Sequence, residues 1–352
     1  MKRLILFMTV VLGLSVAPMA HAANNTSVMT AKNAKTYIYN AKGVKVGTLN
    51  VGVSYWYDKK TSLKIGKKKY TVYLISKRYK QLKNKTLYVK ANSVNIAKVP
   101  KKTKVTMKVP KGYTLNEVFL AELLSKPTDA FLKANMDGMK QNTFSSSIDY
   151  ENAKDLTTKV DLNKLSTKNR EVLAKFALKV LNQFRKQLKL PAWKYSKGTQ
   201  KLALDVAKQY QTDKATIQDQ QHNVSGIVKA AKKNGLIISD NSIEDLAGFA
   251  LPKKTHVVSM NVAKKLVYFG LKQMLFGYKS NGEDAKSISN KDNYTEWYHA
   301  GDLLNKRGGK SDGQWNYFGF SISHVGNIYS MHFINVPTVL VKDKTVNKGF
   351  KP

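Results

Sequence analysis

The chain reads as an α+β protein: a layered helix–sheet–helix domain, preceded by a small all-β module of barrel-like form. Three observations carry this reading. Between residues 35 and 97, aromatic and β-branched residues alternate with lysine at period two. From Ser166 onward the apolar spacing lengthens to that of helices and persists through several segments. Near the C-terminus two strand-like runs are joined by a short turn. A length of 352 residues suits about two domains.

Taken in order, the first residues are MKRLILFMTVVLGLSVAPMAHA: Lys2 and Arg3, an apolar run, then Ala20-His21-Ala22. This is the layout of a secretory signal with a small-residue cleavage site, and Ala23 is the expected mature N-terminus. The chain has no cysteine. An exported protein without disulfides must hold its core by packing alone, which fits export from a bacterium. The lack of a thiol also excludes every cysteine-nucleophile enzyme.

Within 35–97 the runs TYIYN (36–40), VKVGTL (44–49), VSYWYD (53–58), KIGKKKYTVYLI (64–75) and TLYVKANSVN (86–95) are separated by Gly, Asn and Asp. They predict short antiparallel strands with basic outer faces. The net charge of the whole chain is +37, and residues 24–112 hold 22 Lys and Arg against one acid, Asp58. Such density implies a polyanionic partner. For an exported bacterial protein that means teichoic acids and other anionic wall polymers; nucleic acid is the rival. Lysine outnumbers arginine, and lysine is a point charge without the fork that reads bases. Lys67, Lys68, Lys69, Lys77, Arg78 and Lys80 are the densest candidates for wall contact.

Residues 98–112 form a Lys- and Val-rich connector with Pro100 and Pro110, followed by Leu115, Val118, Phe119 and Leu123 at helical spacing and then a polar stretch. A linker with partial helix is expected over 98–165. Ser166 can cap a long helix carrying Leu173, Phe176, Ala177, Val180, Leu181, Phe184 and Leu188, stopped by Pro191. A second helix carries Leu202, Ala203, Val206, Ala207 and Tyr210, a third runs from about Ser225 to Lys233, and a fourth carries Leu266, Val267, Leu271, Met274 and Leu275. WNYFGFSIS (315–323) and NIYSMHFIN (327–335) predict a hairpin, with VPTVLV (336–341) as a candidate edge strand. The expected organisation is a signal peptide (1–22), a basic β wall-binding module (24–97), the linker (98–165), the α+β domain (166–341) and a basic tail (342–352).

Zinc-peptidase, serine-hydrolase, nucleotide-binding and paired zinc-ligand motifs are missing from the sequence. The remaining polar features form a series. Asn182 and Arg185 lie in LNQFRKQLKLPAW, His222 follows the second helix, Glu244 lies in SIEDLAGF, and His299 lies in TEWYHAGDLL. That order resembles the CAP superfamily. More narrowly, GMKQNTFSS, LNQFRKQLKLP, MLFGY and YHAGDLL resemble its surface-exclusion branch from Gram-positive bacteria, over roughly 135–340. The N-terminal run YIYNAKGVKVGTL with LYVKANSV resembles S-layer-type wall-binding modules of lactobacilli.

The first resemblance implies a CAP-like α-β-α sandwich and a ligand cleft lined by His222, Glu244 and His299. The family's fourth cleft residue, a glutamate, has no clear match; Gln273 is the nearest polar candidate on the fourth helix. Leu181 stands where the HNxxR motif has histidine. Two neutral imidazoles, His222 and His299, can bind zinc or another divalent metal, and Glu244 could orient a bound water or act as a base. The alternative is a hydrogen-bonded structural cluster. Glu296, three residues before His299, can share its helical face. His256, His324 and His332 are expected in loops, turns or packed strands. The function implied is an exported surface protein of surface-exclusion or adhesion type that binds a ligand; the rival is a metal-dependent wall-active or proteolytic hydrolase.

Overall fold

The structure, a computed structural model, describes residues 27–33, 35–49, 54–75, 86–98, 101–124, 126–144 and 149–352. The expected signal sequence and the wall-contact candidates Lys77, Arg78 and Lys80 lie outside these residues.

The N-terminal module is built from β1 (Ser27–Ala31), β2 (Tyr37–Asn40), β3 (Lys45–Thr48), β4 (Ser54–Ile65), β5 (Lys68–Ile75), β6 (Leu87–Lys90) and β7 (Val94–Lys98). Period-two alternation buries Met29, Leu49, Tyr55, Ile75, Val89 and Val94 in a small core of their own. The seven strands form one sheet in the order β3-β2-β6-β5-β4-β1-β7. The expected barrel is therefore corrected. Among the described residues the sheet does not close, because the short, solvent-facing β3 ends it on one side and β7 ends it on the other. Lys67, Lys68 and Lys69 are exposed at the tip of the β4–β5 hairpin, where Ile65 pairs with Lys68 across a two-residue turn.

The body begins with two short strands that pair parallel in a small sheet of their own, β8 (Lys101–Lys102) and β9 (Asp149–Tyr150), with helices α1 (Leu115–Leu124) and α2 (Asp129–Gln141) between them in the chain. Next come β10 (Lys159–Asp161), α3 (Thr167–Gln187), β11 (Lys194–Tyr195), α4 (Lys197–Asp213), α5 (Val224–Lys233), β12 (Glu244–Ala250), β13 (Val257–Ser259) and α6 (Met260–Leu275). The chain ends with α7 (Ala285–Ser289), α8 (Tyr298–Leu303), β14 (Asn316–Val325), β15 (Ile328–Pro337) and α9 (Thr338–Lys342). The predicted hairpin is β14–β15. β12 joins it antiparallel and β11 parallel, giving the order β11-β14-β15-β12.

Alternation along this sheet makes two cores. Ala247, Phe249, Phe320, Met331 and Phe333 face α3 and α6, while Leu246, Ile334 and Val336 face α4 and α5. The result is the predicted helix–sheet–helix layering. Gly319 lets α4 lie on β14: a Cβ there would stand 2.4 Å from the Thr199 carbonyl oxygen. Ser166 and Ser196 cap α3 and α4 through bonds to the Asn169 and Thr199 amides.

Three expectations change. The stretch expected as a linker is packed into the body: Met107, Tyr113, Phe131 and Met139 are fully buried in the core that contains α3 and α6. Tyr113 also donates to the Leu275 carbonyl at 2.6 Å. Its polar, proline-marked sequence concealed this, because its few apolar residues are spread across breaks in helical period. The segment 336–341 is not an edge strand: Pro337 ends β15, and α9 follows. The basic tail is tucked in, with Phe350 buried beside α5 and the Lys348 amide bonded to the Gly235 carbonyl. No helix among the described residues is long and apolar enough to cross a membrane.

Candidate functional site

The site is organised by two consecutive acids, Glu244 and Asp245, at the start of β12. Strand alternation turns them to opposite faces of the sheet. Each then holds one of the two histidines that the resemblance nominated.

Glu244 points to the α4 side. Its Oε2 lies 2.7 Å from His222 Nδ1 and accepts the Tyr210 hydroxyl at 2.7 Å. Its Oε1 lies 2.6 Å from His332 Nδ1. Burial alone would raise this carboxyl, but the hydrogen bonds from His222 and His332 and their charge hold it at about 2. With both oxygens engaged and no exposed side-chain surface, Glu244 is a support behind His222. It lines the same cavity as His222 and His299, and its two oxygens are engaged by His222, Tyr210 and His332.

Asp245 points to the other face. Its Oδ1 is 2.9 Å from His299 Nδ1 and its Oδ2 accepts from Asn335 Nδ2 at 3.0 Å. Behind it runs a buried amide chain. Asn316 donates to Asn335 at 2.7 Å, Asn305 to Asn316 at 2.9 Å, and Trp193 Nε1 to Asn305 at 2.7 Å. Arg185, fully buried, ties the same region together by donating to the carbonyls of Pro191, Leu303 and Gln314. Asn182 clamps Trp193 through both backbone groups. The altered HNxxR motif is thus a framework element, not part of the cleft.

The two imidazoles meet in front of the end of β12, with ring centroids 5.7 Å apart and planes at 71°. Both Nδ1 atoms are taken by carboxylates, which leaves the Nε2 atoms on the ring edges away from Glu244 and Asp245. This is the arrangement that orients metal-binding histidines. Glu296 completes the front: its Oε2 is 3.7 Å from His299 Nε2, and its Oε1 accepts the His299 amide. Burial would lower the His299 pKa, but Glu296, Asp245 and Asp302 together lift it to about 9. At neutral pH His299 therefore carries a proton. Asp302 is pushed up to about 6 by burial and by Asp245, with Arg307 opposing. Among the described residues no group of three or more His, Asp or Glu is gathered so as to hold a metal ion.

Gln273 stands on the cavity wall near His299 and Glu296, with its amide bonded to the Ser280 carbonyl. Glu296, not Gln273, supplies the carboxylate beside the histidines. His256 pairs with Asp161 and His324 stacks on Tyr329, both away from the site. Sequence reasoning missed Asp245, Tyr210 and His332 as members. Parity could have found them: His332 shares a strand face with Ile334, and Asp245 must oppose its neighbour Glu244.

No family model matches the chain, and no curated protein matches it. Among solved structures, the CAP domain of enterococcal PrgA superposes with a TM-score of 0.54 and 22% identity, covering 69% of this chain and 90% of that one. A cysteine-rich secretory protein from Staphylococcus aureus (12% identity, 88% of this chain and 75% of that one) and an SCP-domain extracellular protein from Bacillus anthracis (9% identity, 91% and 89%) each give a TM-score of 0.23. At that score neither carries an argument. The PrgA superposition shows that this chain has the CAP fold over the part it covers.

Proposed function

We propose that the chain is an exported bacterial surface protein, held without covalent linkage on teichoic acids and similar wall polymers by its N-terminal module, whose CAP body binds a ligand at His222 and His299. The observation that carries the binding reading is the pair of imidazoles fixed through Nδ1 by Glu244 and Asp245, so that their Nε2 edges are the ones turned away from those carboxylates, with Glu296 beside that of His299. Attachment is supported by the lysine excess and by the exposed Lys67–Lys69 tip. A surface-exclusion or adhesion role is in keeping with the fold.

The rival reading, a metal-dependent hydrolase, rests on the same pair. Two imidazoles suit the nitrogen ligands of zinc, but among the described residues no third His, Asp or Glu is gathered with them to complete a metal centre. Bound there, a divalent metal would supply an activated water. In this chain Asp245 and Glu244 would fix the ligand tautomers, while Glu244 is too enclosed to move a proton at the front.

Zinc titration of the full chain by calorimetry, with His299→Ala beside it, tests the site. Stoichiometric binding lost in the variant supports the pair as a ligand centre; binding unchanged by the variant would remove it. Sedimentation with purified walls across a salt series tests attachment, which must weaken as salt rises.

A further inference from the structure

Among the described residues β12 has a strand partner on one side only. Leu251 N–H donates to the Asn327 carbonyl and Asn335 N–H to the Ile243 carbonyl. With the register between them, this makes the odd residues 243–251 the ones whose backbone groups face β15. In an antiparallel ladder the alternate residues turn N–H and C=O the other way. Those of Glu244, Leu246, Gly248 and Ala250 therefore face outward, on the end strand of the sheet.

At Glu244 the outward groups are taken by one side chain. Asn241 Oδ1 accepts the Glu244 amide at 2.9 Å and Asn241 Nδ2 donates to its carbonyl at 3.0 Å, as a neighbouring strand would. Among the described residues nothing caps Leu246, Gly248 and Ala250 in that way. Instead these three line a cavity of about 330 Å³, walled by Ile217 on one side and Met274 on the other. A second cavity of about 540 Å³ shares Ile217, Leu246, Glu296 and His299 with it and adds His222. Together they make one trough, which follows the strand edge and ends on the histidine pair.

We propose that this trough takes an extended polypeptide, which adds to β12 as a fifth strand and runs on to the His222–His299 pair. The proposal rests on the reading of that pair as a ligand site and names its ligand class. Outward pairs at Leu246, Gly248 and Ala250 repeat every two residues, about 6.8 Å, and span about 14 Å, the length of a four- to five-residue strand. A polypeptide offers N–H and C=O groups at that repeat, and a glycan does not. Main-chain bonds would give affinity, and the apolar walls at Ile217 and Met274 would choose side chains. The recess between those walls also keeps a second copy of β12 from pairing edge to edge.

The test selects a binder from a random heptapeptide library on the full chain, then remakes it with each amide N-methylated in turn. Methylation at alternate amides should weaken binding tenfold or more, while the intervening positions stay within about threefold. Ala250→Pro removes an outward donor and no bond to β15, a substitution edge strands tolerate. It should weaken the same peptide at least tenfold and leave zinc binding at the histidines unchanged. Several results would overturn the proposal: no heptapeptide binding tighter than millimolar, N-methyl effects without alternation, unchanged affinity in a folded Ala250→Pro protein, or a dimer in sedimentation that competes with peptide. If Ala250→Pro does not fold, the N-methyl pattern decides alone. Zinc binding that depends on His299 but comes without peptide binding sinks the strand proposal only; loss of both sinks the ligand-site reading as well.

Discussion

Glu296→Gln should bring the His299 pKa down from about 9 toward 7–8. In the folded chain the nearest oxygen of Glu296 is 3.7 Å from His299 Nε2. Two unit charges at that separation interact by about 1 kcal/mol in water and about 4 kcal/mol at an effective dielectric near 20. The two side chains are 18% and 22% exposed, so the lower half of that range applies. A shift of 1.36 kcal/mol is one pKa unit, which gives about 1–2 units. Glutamine keeps the shape and can still accept the His299 amide, so the change isolates charge. The assay is imidazole ¹⁵N–¹H correlation spectroscopy from pH 5.5 to 10.5 on both proteins. An unaltered titration midpoint in the variant, or a midpoint near 6.5 in the parent, would refute the reasoning that Glu296 and Asp245 hold a proton between them. The same shift enters stability. Because the folded pKa lies above the unfolded value, the contribution is complete below about pH 6.5 and is lost as pH rises through about 9; it amounts to at most about 3 kcal/mol.

Zinc affinity at the histidine pair should climb about tenfold per pH unit up to roughly pH 9, since metal and proton compete for His299 Nε2; calorimetry at three pH values checks this, and a flat profile would place zinc elsewhere. Arg185→Ala, which strands three buried carbonyls, should cost about 3–5 kcal/mol in urea unfolding. Gly138→Ala should cost about 1–3 kcal/mol, because the new methyl would sit 2.5 Å from the Phe276 ring; a neutral result would show that the α2 segment is not held against α6. Replacing Lys67, Lys68 and Lys69 by glutamine should weaken wall sedimentation and flatten its salt dependence, with no change in zinc binding.

Sequence by itself determined the broad design. Period-two and period-3.6 patterns are local properties, so the strands of the N-terminal module, α3, α4, α6 and the β14–β15 hairpin were legible in single segments. The resemblance of the chain's motif order to the CAP superfamily was enough to nominate His222, His299 and Glu244. It could not set their roles, because those depend on which neighbour reaches which nitrogen. Glu244 was read as lining the cleft with His222 and His299; tertiary packing put Tyr210 and His332 on it beside His222 and gave His299 to Asp245. Whether a sheet closes is likewise a matter of which distant edges meet, and among the described residues β3 and β7 do not. The burial of Met107, Tyr113, Phe131 and Met139 was hidden because they pack in the core shared with α6 and follow no period of their own. Local sequence fixes which way a side chain points from its own strand or helix; only the assembled layers decide what it points at.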